Sequence, residues 1–248
     1  MAGTARHFKP DTMTPPPPSP FLPWLGLFET LRVIQGRPLF TAEHWDALRA
    51  SAQELELVLP FDFRERASGL PKVDGRWRWI VTAETAFDRF DPEPDATPAT
   101  LSLAVGEPRL GSRNWDARHK TLSYLTHWQG RQAAKASGGD EALLLNERDE
   151  VASGAMSNVF WAKGGRVFTP APEAGCRRGV VRDWVLRTLH AVPEQVCAPL
   201  ARVEEADEIF LTSSWIGVRP VTSLNGRSLP AGPVATGLHD LYRQAAGI

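Results

Sequence analysis

The run from Glu141 to Pro170, EALLLNERDEVASGAMSNVFWAKGGRVFTP, most narrows what this chain can fold into. Its apolar segments are of strand length, rich in Val, Phe and Trp, and are separated by polar turns. Gly164-Gly165 suits a two-residue hairpin connection. The run predicts a meander of three strands joined by tight turns. Within it, Ala152 to Asn158 is small and polar. Small residues in a row let backbone approach backbone, or let a bulky group lie against the chain.

The flanking sequence extends this pattern. LFETLRVIQGRPLF, residues 27 to 40, reads as a strand, a Gln35-Gly36 turn and a short second strand. Thr41 is placed to cap a helix whose apolar stripe is Trp45, Leu48, Ala52 and Leu55. RWRWIVTA (Arg76 to Ala83) and TLSLAVGE (Thr100 to Glu107) read as strands. The segment from Arg109 to Lys120 is polar and aperiodic, as a connection between lobes would be. Beyond it come a helix at about 121 to 137, the meander, and a helix from near Gly179 with Val181, Trp184, Val185, Leu189 and Val192 on one face. A strand EIFLTSS and an Asn225-Gly226 turn follow. The class is α+β, two α/β lobes with mixed and antiparallel sheets. The expected organisation is a Pro-rich arm at 1–23, a small α+β lobe at 24–108, an interdomain connection at 109–119 and a larger lobe at 120–248.

Composition removes several function classes. Net charge is −1, which disfavours nucleic acid or an anionic membrane as the main partner. Two cysteines, Cys176 and Cys197, make neither a disulfide framework nor a structural zinc site, so a reducing cytoplasm is expected. No segment reaches the length of a membrane span. There is no G-x-S-x-G elbow, P-loop or G-x-G-x-x-G, and the six histidines lack metal-ligand spacing. Only five lysines occur, so few positions can supply a reactive primary amine.

Five stretches occur together in one order: FETLRVIQGRPLF, HKTLSYL (119–125), GGDEALLLNERDEVASGAMSNVFW, GCRRGVVR (175–182) and DEIFLTSSWIGVRPVTSLNG (207–226). In that order and spacing the chain resembles the class IV (fold type IV) pyridoxal-phosphate enzymes over roughly residues 24 to 226. That family includes branched-chain and D-amino-acid aminotransferases and 4-amino-4-deoxychorismate lyase. The resemblance implies two lobes with cofactor in the cleft between them, a homodimer and a small amino substrate. It puts the Schiff-base lysine at Lys120, whose neutral amine would condense with the cofactor aldehyde and then move the substrate α-proton. It implies that backbone N–H groups of Gly179, Val180 and Val181 hold the phosphate at a helix N-terminus, with a further contact from Ser214. Ser153 and Asn158 fall on its ring-contacting stretch. Arg32, Arg78 and Arg109 are the candidates for binding substrate carboxylates.

Two positions depart from the family pattern. Its H-x-x-R-L helix carries a phosphate-binding arginine, but here the stretch is His44-Trp45-Asp46-Ala47-Leu48. Arg49 lies about 200° around the helix axis from that position. Second, the family normally places a glutamate five residues before the asparagine, and here Ser153 stands there. A serine stabilises a protonated pyridine nitrogen less than a carboxylate does, so the ring becomes a weaker electron sink. That favours β-elimination over transamination. The resulting expectation is a lyase resembling aminodeoxychorismate lyase, releasing pyruvate and leaving 4-aminobenzoate for folate biosynthesis. The alternatives are a class IV aminotransferase, and a degenerate member without catalysis, suggested by the loss of both contacts.

Overall fold

The computed structural model describes residues 25–94 and 96–248. The Pro-rich arm read at 1–23 lies outside the described residues. The chain divides into two compact units, each treated by itself. One takes the described residues up to Ala96 together with His119–Ser123; the other takes Thr97–Arg118 and Tyr124–Ile248.

The first unit contains β1 (Gly26–Ile34), β2 (Arg37–Pro38), α1 (Thr41–Glu54), β3 (Gly75–Thr82) and β4 (Ala86–Pro92). The strands form an antiparallel sheet in the order β2-β1-β3-β4. Gln35 and Gly36 both have positive φ, as the hairpin turn read from sequence requires. Leu27, Leu31, Val33, Trp77, Trp79 and Val81 project from one face of this sheet into a core with Trp45, Leu48 and Ala52 of α1. Phe63 stacks on Trp79 at 5.4 Å. Thr41 does not cap α1. It is the first helical residue, and its hydroxyl donates back to the Pro38 carbonyl at 3.2 Å. β4 was not foreseen, because Ala86–Pro92 is broken by charges that turn out to pair across the sheet.

The second unit opens with β5 (Leu101–Val105), α2 (Trp115–Arg118) and α3 (Leu125–Ala136). Then come β6 (Glu141–Leu145), β7 (Val151–Gly154), β8 (Asn158–Lys163), β9 (Arg166–Pro170), α4 (Val180–Thr188), β10 (Glu194–Val196) and α5 (Leu200–Glu204). It closes with β11 (Glu208–Ser213), β12 (Gly217–Leu224), β13 (Arg227–Ser228) and α6 (Pro233–Ala246). α4 is shorter than its apolar pattern suggested, and Val192 is exposed beyond it. The strand order is β10-β9-β8-β11-β12-β5-β6-β7, with β13 on β12.

Two expectations change here. β5 pairs in parallel with β12 and β6, so TLSLAVGE belongs to the second unit, although it precedes the connection read at 109–119. Conversely, Lys120 belongs to the first unit. The meander is also interrupted. β6 pairs with β7 and β8 with β9, but β7 and β8 are not neighbours. They are five places apart in the strand order, which in a flat sheet would be about 24 Å. Only Ala155, Met156 and Ser157 join them, a span of at most about 15 Å. The sheet must therefore curl toward itself as a half-barrel.

Candidate active site

Lys120 reaches its place through backbone pairing. Phe28 N–H donates to the Lys120 carbonyl at 2.9 Å, Leu122 N–H to the Gly26 carbonyl at 2.9 Å, and Leu27 bridges Thr121 in antiparallel sense. Residues 120 to 122 thus extend the first sheet along β1. This register sets Lys120 beside Phe28 on the face opposite the core, with Nζ 4.2 Å from the ring centroid. Next to it, buried His119 contacts Ser51 Oγ at 3.1 Å and Glu54 at 3.3 Å, both on α1. His119 thus faces α1, while the Lys120 side chain stands on the opposite face of the sheet.

Helix α1 shows the missing arginine directly. His44, Trp45, Leu48 and Ala52 are buried, and His44 Nδ1 lies 2.7 Å from the Glu29 carboxylate. Arg49 is exposed and pairs with Asp46 at 3.2 Å. It points away from the buried stripe, as its 200° offset predicts.

In the second unit, the link between β7 and β8 is a tight turn. Gly154 N–H donates to the Ser157 carbonyl at 2.9 Å. The Ser153 hydroxyl is 2.8 Å from the Gly154 carbonyl and 2.9 Å from that of Ser157. Its one hydrogen braces this turn, and it presents lone pairs elsewhere. A side chain at Gly154 would place Cβ 2.1 Å from Ser157 Oγ, which accounts for the small residues in this stretch. Glu141 closes the turn from β6. Its carboxylate accepts from Met156 N–H at 3.3 Å and from Ala142 N–H at 2.9 Å, and Ser157 Oγ lies 3.5 Å away. Burial pushes this carboxyl up to about 7, against the N–H donors and Arg131, which pull it down. Sequence reasoning missed Glu141 because nothing local distinguishes it from a surface residue at a strand start.

Asn158 begins β8 and spends its side-chain amide on the loop before α4. Nδ2 donates to the Arg177 carbonyl at 2.8 Å, and Oδ1 lies against Gly179, where an added Cβ would meet it at 2.2 Å. α4 starts at Val180 with Gly179 as N-cap and no side-chain cap. Its first-turn N–H groups, Val180 and Val181 among them, therefore lack helical partners. Thr212 is the cross-strand neighbour of Asn158 on β11; it is fully buried and its hydroxyl has no hydrogen-bond partner. An uncapped helix start, glycine at closest approach and an orphaned hydroxyl suit a phosphate group. Ser214 follows β11 by one residue and is partly exposed. Arg177 lies on the loop before this helix start, its guanidinium carbon 5.9 Å from the Tyr124 ring centroid. Tyr124 stacks on His127 and donates to the Ala155 carbonyl at 3.2 Å. Cys176 is buried, which pushes its thiol up, away from nucleophilic use.

The three carboxylate-binding candidates separate. Arg32 is buried on β1 and Arg78 sits on β3, paired with Asp91 at 2.6 Å. Arg109 lies in the second unit and is engaged by Asp149 at 2.9 Å and Glu107 at 3.1 Å. Those surface carboxylates account for its charge. Among the described residues no metal-ligating cluster occurs, and no helix is long and apolar enough to cross a membrane.

A half-barrel unit carrying an uncapped helix start, and a second unit presenting a lysine at a sheet edge, are the parts of a fold type IV enzyme. A profile of the amino-transferase class IV family matches residues 26–224, and the chain belongs to that family. It is 35% identical to a probable branched-chain-amino-acid aminotransferase of Thermotoga maritima, over 88% of this chain and 85% of that one. It is 24% identical to the aminodeoxychorismate lyase of Bacillus subtilis, over 90% and 86%. The crystal structure of the branched-chain aminotransferase of Thermoproteus uzoniensis with norvaline matches it at a TM-score of 0.82 and 22% identity, covering 91% of this chain and 86% of that one. These likenesses leave the particular reaction open between lyase and aminotransferase.

Proposed function

We propose that the chain is a pyridoxal-phosphate-dependent lyase resembling aminodeoxychorismate lyase, with an amino substrate that loses pyruvate to leave 4-aminobenzoate. The same reading makes it a cytoplasmic homodimer. Lys120 is the cofactor-linking amine and the base that moves the α-proton. Gly179, Val180, Val181 and Ser214 hold the phosphate, Asn158 positions their loop, and Ser153 lies toward the ring nitrogen. The cofactor supplies an electron-withdrawing ring conjugated to the substrate's amine carbon.

The observation that carries the lyase reading is Ser153. Its hydroxyl hydrogen goes to the Gly154 and Ser157 carbonyls, so it offers the ring nitrogen no carboxylate. Ser153→Glu should therefore raise amino transfer to an α-keto acid at the expense of pyruvate release. Assays of both products from the same enzyme check this, and an unchanged ratio would remove Ser153 from the ring. An aminotransferase is the second reading, favoured by the 35% identical relative from Thermotoga maritima.

The phosphate assignment is tested at Gly179. In Gly179→Ala the new methyl meets Asn158 Oδ1, which its partner Arg177 holds in place. Displacing that loop should weaken pyridoxal-phosphate binding roughly tenfold or more. A spectroscopic titration measures it; unchanged affinity would place the phosphate elsewhere.

A further inference from the structure

Helix α4 carries a buried cation that the proposed chemistry does not use. Arg182 sits three residues past Gly179 and is only 2% exposed. An arginine is rarely buried without an opposite charge beside it. Here Nη2 donates to two neutral oxygens, the Pro170 carbonyl at 3.0 Å and Gln195 Oε1 at 2.9 Å. Nε has no hydrogen-bond partner among the described residues. The neighbouring carboxylate is Asp183, 3.5 Å from Nη1, and its other oxygen pairs with Arg178 at 3.4 Å. Two guanidinium groups thus share one carboxylate. Pro170 ends β9 and Gln195 lies in β10, so Arg182 ties α4 to two strands.

The charge lies behind the helix start. Helical side chains lean toward the N-terminus, and residues three apart share a face. A Cβ added at Gly179 would lie 2.2 Å from Asn158 Oδ1 and 3.8 Å from Arg182 Cβ. Asn158 also reaches Cys176, with Nδ2 3.4 Å from Sγ. Burial pushes that thiol up, and Arg182 is the leading charge that pulls it back down. Thr212, with its orphaned hydroxyl, shares a face with Asn158 across the pairing of β8 and β11. An arginine's length puts the guanidinium on the order of 10 Å from an anion at the first-turn N–H groups.

A buried cation without a carboxylate of its own costs desolvation that an apolar residue of similar volume would avoid. A dianion at the helix start offsets that cost, because charges at such a distance still attract where water is excluded. We infer that Arg182 is a positioning residue for the cofactor phosphate. It holds the start of α4 against β9 and β10, and its charge adds to the helix dipole that draws a dianion. The inference rests on the reading of the Gly179 helix start as the phosphate site.

Absorbance titration of the full chain with pyridoxal phosphate and with pyridoxal isolates the phosphate's share as a ratio of two affinities. Arg182→Gln should lower that ratio about tenfold and leave pyridoxal binding unchanged. Arg182→Lys keeps the charge but loses the forked donors, and should stay within about threefold of the wild-type ratio. A purely structural role would lower both affinities together, or leave Arg182→Lys as poor as Arg182→Gln; either result overturns the inference. Arg182→Met, uncharged and close in volume, replaces Arg182→Gln if that variant fails to fold. Gly179→Ala in the same assay reports the phosphate site. A ratio that falls in Gly179→Ala but not in Arg182→Gln overturns the inference alone. A ratio unchanged in Gly179→Ala places the phosphate elsewhere and overturns the inference together with that reading.

Discussion

Lys120→Ala should abolish covalent attachment of pyridoxal phosphate and lower turnover by at least roughly 10²–10⁴-fold, the contribution of a positioned acid–base group alone. The geometry makes the effect specific. Lys120 is anchored by its backbone, through the Phe28 and Leu122 hydrogen bonds, so removing its side chain leaves the strand pairing intact. The variant should fold with wild-type secondary structure and still take up phosphate through the helix start at Gly179. Borohydride should then fix no cofactor to the chain, whereas in the wild type the modified peptide contains Lys120. Attachment at Lys72, Lys135 or Lys163 instead would show that the lysine has been misassigned. A wild type that takes up no cofactor would favour a non-catalytic family member, with the loss of an arginine at Ala47 as its cause.

Glu141→Gln should change how stability depends on pH. The folded chain holds this carboxyl's proton up to about 7, against 4.5 for an ordinary glutamate. Between those two values folding takes up a proton, so wild-type stability falls as pH rises, by about 1.4 kcal/mol per pH unit from this group. Below about pH 4.5 the contribution is fully present, and above about 7 the loss levels off at roughly 3 kcal/mol. Glutamine resembles the protonated acid in shape and retains an acceptor for the Met156 and Ala142 N–H groups. The variant should match the wild type near pH 5 and exceed it by roughly 3 kcal/mol at pH 8. Urea unfolding at the two values measures this. A difference that is the same at both would mean Glu141 does not titrate in that range. Because Glu141 shapes the turn that carries Ser153, the cofactor's spectrum should follow the same pH window in the wild type and lose that dependence in the variant.

Where local chemistry dominated, the fold was legible from the residues. Gln35-Gly36 and Asn225-Gly226 form the turns their residue types favour, and both pairs have positive φ. Strand segments such as Glu141–Leu145 and Glu208–Ser213 follow their apolar runs. Other features depended on partners distant in sequence. The strand at Leu101–Val105 reads alike in either unit, and only its parallel pairing with β6 and β12 assigns it. Arg78 reads as an ordinary strand arginine until register sets Arg89 and Asp91 beside it.

The amino-acid sequence by itself determined the family, the candidate lysine Lys120 and the two departures at Ala47 and Ser153, because each is a matter of residue identity and order. Tertiary structure alone decided that the Ser153 hydroxyl braces its own turn, that Glu141 is buried against that turn, and that Arg182 is buried behind the start of α4. Those facts depend on burial and strand register, which arise only when segments far apart in the chain exclude water together.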